Sequence, residues 1–146
     1  MPRLRYRPEA FEAYMGPSFL TPGEIMFSWA ELCRAAVTVG RRNWTDVFKF
    51  GTYSVLEMLW RVAMVRANLT ESATGYLLRS EAFRSLDRSE KGAVSYFLSL
   101  TLTKLLAERL FEVSWLLHVD VYRDLVRIEL DPTRRPDFVG VDPDGL

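Results

Sequence analysis

His118 is the only histidine in the sequence and Cys33 the only cysteine. A Ser-His-Asp or Cys-His site would have this one base, and no recognisable nucleophile stands near it in sequence. His118 sits in the apolar, β-prone run 113–119, and a lone imidazole offers no ligand cluster, so it reads as a structural histidine. Cys33, among Leu32, Ala35 and Ala36, reads as a small buried hydrophobe on a helix. One cysteine allows no intramolecular disulfide, which points to a cytoplasmic protein. No P-loop, Gly-rich dinucleotide turn, HExxH or CxxC pair is present. Arg3, Arg5, Arg7, Arg41 and Arg42 could meet phosphates, but 19 basic residues balance 19 acidic ones, so no net field draws nucleic acid. Asn68-Leu69-Thr70 matches a glycosylation sequon. Residues 1–8 are basic without an apolar run, however, and do not read as a secretion signal.

The elements that must position these groups are mainly helical. Residues 1–22 read as an irregular arm punctuated by Pro2, Pro8, Pro17 and Pro22, with one or two helical turns over 9–14. Thr21-Pro22-Gly23-Glu24 looks like a capping box that starts a helix ending at Gly40. Asn43 suits the N-cap of a second helix reaching Asn68. Asp46, Lys49, Tyr53, Glu57 and Arg61 form one polar stripe on it, and most other positions are apolar. That composition predicts a buried central post whose Trp and Met residues pack the core. The longest apolar stretch, 55–65, is interrupted by Glu57 and Arg61 and is too short to span a bilayer, so no membrane partner is expected.

Further along, Thr70 caps a short predicted helix over 70–80, which continues or restarts over 81–86. Asp87 with Glu90 opens a long helix to about Phe111, whose first half, 92–103, carries no charge and must be covered. The run 113–119 suits a strand buried on both faces. Residues 124–130 alternate as a half-exposed strand, and 136–141 form a third strand before the turn Asp142-Pro143-Asp144-Gly145. The fold class is therefore α+β: a mainly helical domain with a small C-terminal antiparallel strand set. Residues 1–87 form a helical region with its arm and 88–146 a long helix plus strands, expected as one compact body. The sequence stops at Leu146, one residue past a turn that asks for a returning strand, so a fragment is expected.

Arg135-Pro136-Asp137-Phe138-Val139-Gly140, after a long helix and a strand, resembles the opening half of the PD-(D/E)xK nuclease core. The resemblance covers 88–146 only. It implies that Asp137 is the first metal-binding carboxylate and that Glu108, on the long helix, is an auxiliary acid. A second acidic ligand and a lysine would follow on the next strand. Two carboxylates on adjacent strands can hold Mg²⁺, which activates water and neutralises phosphate charge. That acid-x-lysine triplet is not in the sequence. The expectation is therefore the N-terminal fragment of a metal-dependent nuclease-like protein, inactive in this form, without a cofactor here and with Mg²⁺ and DNA as partners of the complete protein. An ordinary turn-proximal aspartate of another α+β domain is the competing reading of Asp137. The competing function is a non-enzymatic helical interaction protein whose apolar surface takes a protein partner or a second copy of itself.

Overall fold

The computed structural model describes residues 1–9, 21–125 and 136–141. Its helices are α1 (Trp29–Thr38), α2 (Trp44–Phe48), α3 (Thr52–Asn68), α4 (Glu81–Ser85) and α5 (Arg88–Phe111). Three antiparallel strand pairs accompany them: β1 (Arg3–Tyr6) with β2 (Gly23–Met26), β3 (Leu69–Glu71) with β4 (Leu77–Arg79), and β5 (Trp115–His118) with β6 (Phe138–Val141). This is the α+β class expected, mainly helical with a C-terminal antiparallel pair. Among the described residues no helix is long and apolar enough to cross a membrane.

Elements whose boundaries are set by neighbouring residues match the sequence reading. Asp87 accepts from the backbone N–H groups of Ser89 and Glu90 while Glu90 accepts from that of Asp87, so α5 begins where its capping box stands. Asn43 accepts from Asp46 N at 2.9 Å and starts α2. Gly40, with φ of 74°, follows α1 in the left-handed conformation that stops a helix. β5 is buried on both faces. Leu116 packs with Val39 and Ala107, whereas Leu117 packs with Tyr122 and Val141.

Other elements depart from it, some through distant partners and some through local side-chain to backbone hydrogen bonds. The expected arm contains β1, paired with β2 in the register Arg3↔Met26 to Tyr6↔Gly23. Leu4 and Tyr6 point inward and Arg3, Arg5 and Arg7 outward, a period-two pattern that proline punctuation conceals. Glu24 does not cap a helix; its carboxylate accepts from the Tyr76 hydroxyl at 2.8 Å and pairs with Arg3 and Arg5. The helix begins later, where Ser28 and Glu31 form another capping box. The helix expected over 44–68 is broken at Gly51, with φ of 57° and ψ of −122°, and Ser54 Oγ accepts from the freed Phe50 N–H at 3.1 Å. Residues 70–80 form a β-hairpin instead of a helix. Ser72 Oγ accepts from Tyr76 N–H, and Gly75 at φ of 86° turns the chain, so the Ser/Thr groups serve the turn. Asp124 and Leu125 lie in a turn. The rest of the strand expected at 124–130, the turn at 142–145, and most of the helical turns expected over 9–14 lie outside the described residues.

The main core joins Phe27, Leu32, Ala35, Ala36, Val65, Phe83, Phe97, Leu98 and Leu105. Its central element is α1, which packs against both α3 and α5. Leu32, Ala35 and Ala36 are fully buried, and the two alanines let neighbouring helices approach closely. The expectation that the 44–68 helix is the buried post is thus corrected. Of α3 only Ser54, Val65 and Asn68 are buried, and Tyr53, Val55, Leu56, Leu59 and Trp60 face out. The uncharged half of α5 is also only half covered: Val94, Phe97, Leu98 and Thr101 are buried, Tyr96 and Ser99 exposed.

Candidate functional site

The two carboxylates singled out from sequence stand in different settings. Glu108 projects from α5 into a cluster of cations. It accepts from Lys104 Nζ at 2.6 Å and bidentately from Arg34 of α1 at 3.0 and 2.8 Å. Lys104 is fully buried and also donates to the carbonyls of Ser114, at 2.6 Å, and Val113, at 3.4 Å. Burial lowers the Lys104 pKa below 10.5 and the Glu108 carboxylate opposes that shift. The ammonium's three donors meet three acceptors, so Lys104 ties the end of α5 to the start of β5 and has no donor left for a ligand. An open hollow beside the cluster is lined by Arg34, Glu108, Glu112, Val113, Ser114 and Trp115.

Asp137 is exposed just before β6, and its backbone carbonyl accepts from Val119 N–H at 3.1 Å. Across the strand pair Asp137 faces Val119, and His118 pairs with Phe138. The imidazole lies 4.4 Å from the Phe138 ring and close over Gly40. Burial pushes the His118 pKa down, and the Arg61 charge adds to this against the opposing pull of Asp137 and Asp120. That is the environment of a neutral structural imidazole. Burial likewise raises the Cys33 thiol, against the opposing charge of Arg66, which makes it a poor nucleophile. Among the described residues no group of three or more His, Cys, Asp or Glu is placed to hold a metal ion.

The feature that sequence reasoning missed is the orientation of α3. Of its polar stripe, Glu57 and Arg61 turn towards the protein body, whereas Tyr53 is exposed. Arg61 donates to the carbonyls of Ala36, at 2.8 Å, and Val39, at 3.4 Å, at the C-terminal end of α1, whose last turn has no basic residue of its own. Arg61 and Arg41 both pair with Glu57. Burial works against the Glu57 carboxylate, but these two guanidinium groups outweigh it and hold its pKa below the usual value. The opposite face is turned to solvent: Thr52, Tyr53, Val55, Leu56, Leu59, Trp60, Ala63, Arg66 and Ala67 are all exposed. At 100° per residue these positions cover an arc of roughly 160°, and Arg66, whose guanidinium lies 4.2 Å from the Trp29 ring centre, is its only charge. Phe50, 56% exposed, stands just before the helix, and Trp44 and Phe48 of α2 add exposed aromatic surface. The sequence signal was the helical stripe itself; a periodicity shows that two faces differ, not which faces inward.

Comparison with protein-family models, with curated proteins and with solved structures finds no match to this chain.

Proposed function

We propose that this chain is a non-enzymatic interaction domain that binds a protein partner through the outer face of α3. One observation carries the reading: a 17-residue helix turns its ion-paired side chains inward and leaves an almost uncharged apolar arc in water. With roughly 200 Å² per aromatic side chain and somewhat less per aliphatic one, Tyr53, Val55, Leu56, Leu59, Trp60, Ala63 and Ala67 at their fractional exposures present on the order of 600 Å². The largest apolar patch on a typical monomer is about 300–600 Å² and is itself often a functional surface, and this face stands at the top of that range. Hydroxyl-radical footprinting of the protein at nanomolar concentration tests this residue by residue. Strong labelling is expected at Tyr53, Leu56, Leu59 and Trp60; protection of these residues in the isolated monomer would mean the chain covers its own face, and the proposal fails.

The nuclease-like reading has narrower support: an exposed Asp137 opens β6, which pairs with the strand that follows a long helix. A Mg²⁺ site needs further oxygen ligands beside it. Glu108 is already neutralised by Lys104 and Arg34, so the described residues do not assemble such a donor set, and no catalytic step follows from them. Incubation of purified protein with supercoiled DNA and Mg²⁺ separates the readings. No cleavage is expected, and robust cleavage lost in Asp137→Ala would restore the nuclease reading.

A further inference from the structure

We infer that the occupant of the α3 face is a second copy of this chain, packed across a two-fold axis with the two α3 helices antiparallel. The inference rests on the interaction reading above and adds the identity of the partner. Three properties of the face point to itself. α3 contributes one formal charge to it, Arg66, stacked on Trp29 at the C-terminal end, and Lys49 lies over the Phe50 ring at the other end, so apposing two copies brings few like charges together. Its exposed area, on the order of 600 Å² for α3 alone and about 700 Å² with Phe50, falls within the roughly 600–1,000 Å² per partner of a standard stable interface. Its relief is self-complementary. The N-terminal half carries the bulky Tyr53, Leu56, Leu59 and Trp60, whereas the C-terminal half presents Ala63 and Ala67.

A two-fold axis perpendicular to the helices inverts one α3 relative to the other. The bulky half of each copy then lies against the alanine half of its partner around a crossing near Trp60 and Ala63. Parallel packing would set bulk against bulk and alanine against alanine, leaving a gap at one end. Small residues at a crossing let helix backbones approach, and the large side chains of the other copy fill the space. The same contact covers the part of Trp60 that its packing on Phe97 leaves exposed, a residue type that dominates the energetics of protein interfaces.

Sedimentation velocity of the full chain at micromolar concentration is expected to show a dimer. Leu56→Glu with Leu59→Glu, which puts charge on the face without touching a buried residue, should weaken dimerisation about 100-fold or more while circular dichroism and the thermal transition stay close to wild type. Orientation is read on a Cys33→Ser background by mixing Leu56→Cys with Ala67→Cys under mild oxidation. A disulfide between position 56 of one copy and position 67 of the other supports the antiparallel pair; like-with-like cross-links only would overturn it, as would a dimer that survives both glutamates. A monomer at high micromolar concentration whose α3 face remains open to footprinting removes the second copy and leaves the interaction reading standing. A monomer with that face protected removes both.

Discussion

Removing the ammonium of Lys104 probes whether the ion cluster at the end of α5 is a structural tie. Lys104→Met keeps most of the apolar stem and deletes the donor to Glu108, Ser114 and Val113. Rupture of a buried ion pair costs about 3–5 kcal/mol when a charge is stranded. Here Glu108 keeps its bidentate Arg34, so the loss is smaller, about 2 kcal/mol, and comes largely from two part-buried carbonyls that lose this donor. Glu108→Gln should be worse, about 3–4 kcal/mol, because a fully buried ammonium loses its counter-charge beside the Arg34 cation. The two variants also differ in their pH dependence. The folded Lys104 pKa already lies below 10.5, and loss of Glu108 lowers it further. Between the lowered folded value and 10.5 the unfolded chain holds the proton and the folded chain does not, so stability rises with pH across that window. The deficit of Glu108→Gln therefore shrinks as pH is raised from neutral towards 10.5, and Lys104→Met shows no such recovery. Urea unfolding followed by circular dichroism measures both. A Lys104→Met variant that unfolds within about 0.5 kcal/mol of wild type, or a Glu108→Gln deficit that does not change with pH, would refute the structural tie.

Three further outcomes follow from the same geometry. Gly40→Ala should cost about 2 kcal/mol in urea unfolding, because residue 40 has φ of 74° and a Cβ there would stand 2.5 Å from His118 Cδ2. Below pH 6.5 the unfolded chain takes up a proton at His118 before the folded chain, whose imidazole pKa is depressed by burial. Stability should fall with acidification beneath that value, and His118→Gln should flatten this part of the curve of urea midpoint against pH. Arg61→Met should lose about 2 kcal/mol, since it strips the donor from the Ala36 carbonyl and one of two cations from Glu57. A thermal transition unchanged from wild type in that variant would show that the C-terminal end of α1 does not need the guanidinium.

Residues close along the chain determined a good part of this fold. Asp87 with Glu90, Asn43 with Asp46, and Gly40 after α1 are contacts or conformations spanning three residues or fewer, and the sequence reading placed each correctly. The double-sided burial of β5 was equally legible, from an apolar run without alternation. Tertiary structure decided what depends on distant partners. β1 is a strand because β2, some twenty residues on, pairs with it. Glu108 was recognisable as a carboxylate on a helix, but its neutralisation needed Arg34, 74 residues away. The hairpin β3–β4 and the break at Gly51 rest on local contacts, Ser72 with Tyr76 and Ser54 with Phe50, and were not legible because such side chains serve turns and helix caps alike.

The orientation of α3 depends most heavily on tertiary structure. Periodicity divides a helix into a charged and an apolar stripe, and burying the apolar stripe is the ordinary outcome. Here the open carbonyls at the end of α1, together with Arg41, gather Arg61 and Glu57 inward. An ion pair that finds backbone acceptors and a third charge is satisfied in the interior. The apolar stripe it displaces is left facing water, and that surface is the basis of the functional proposal.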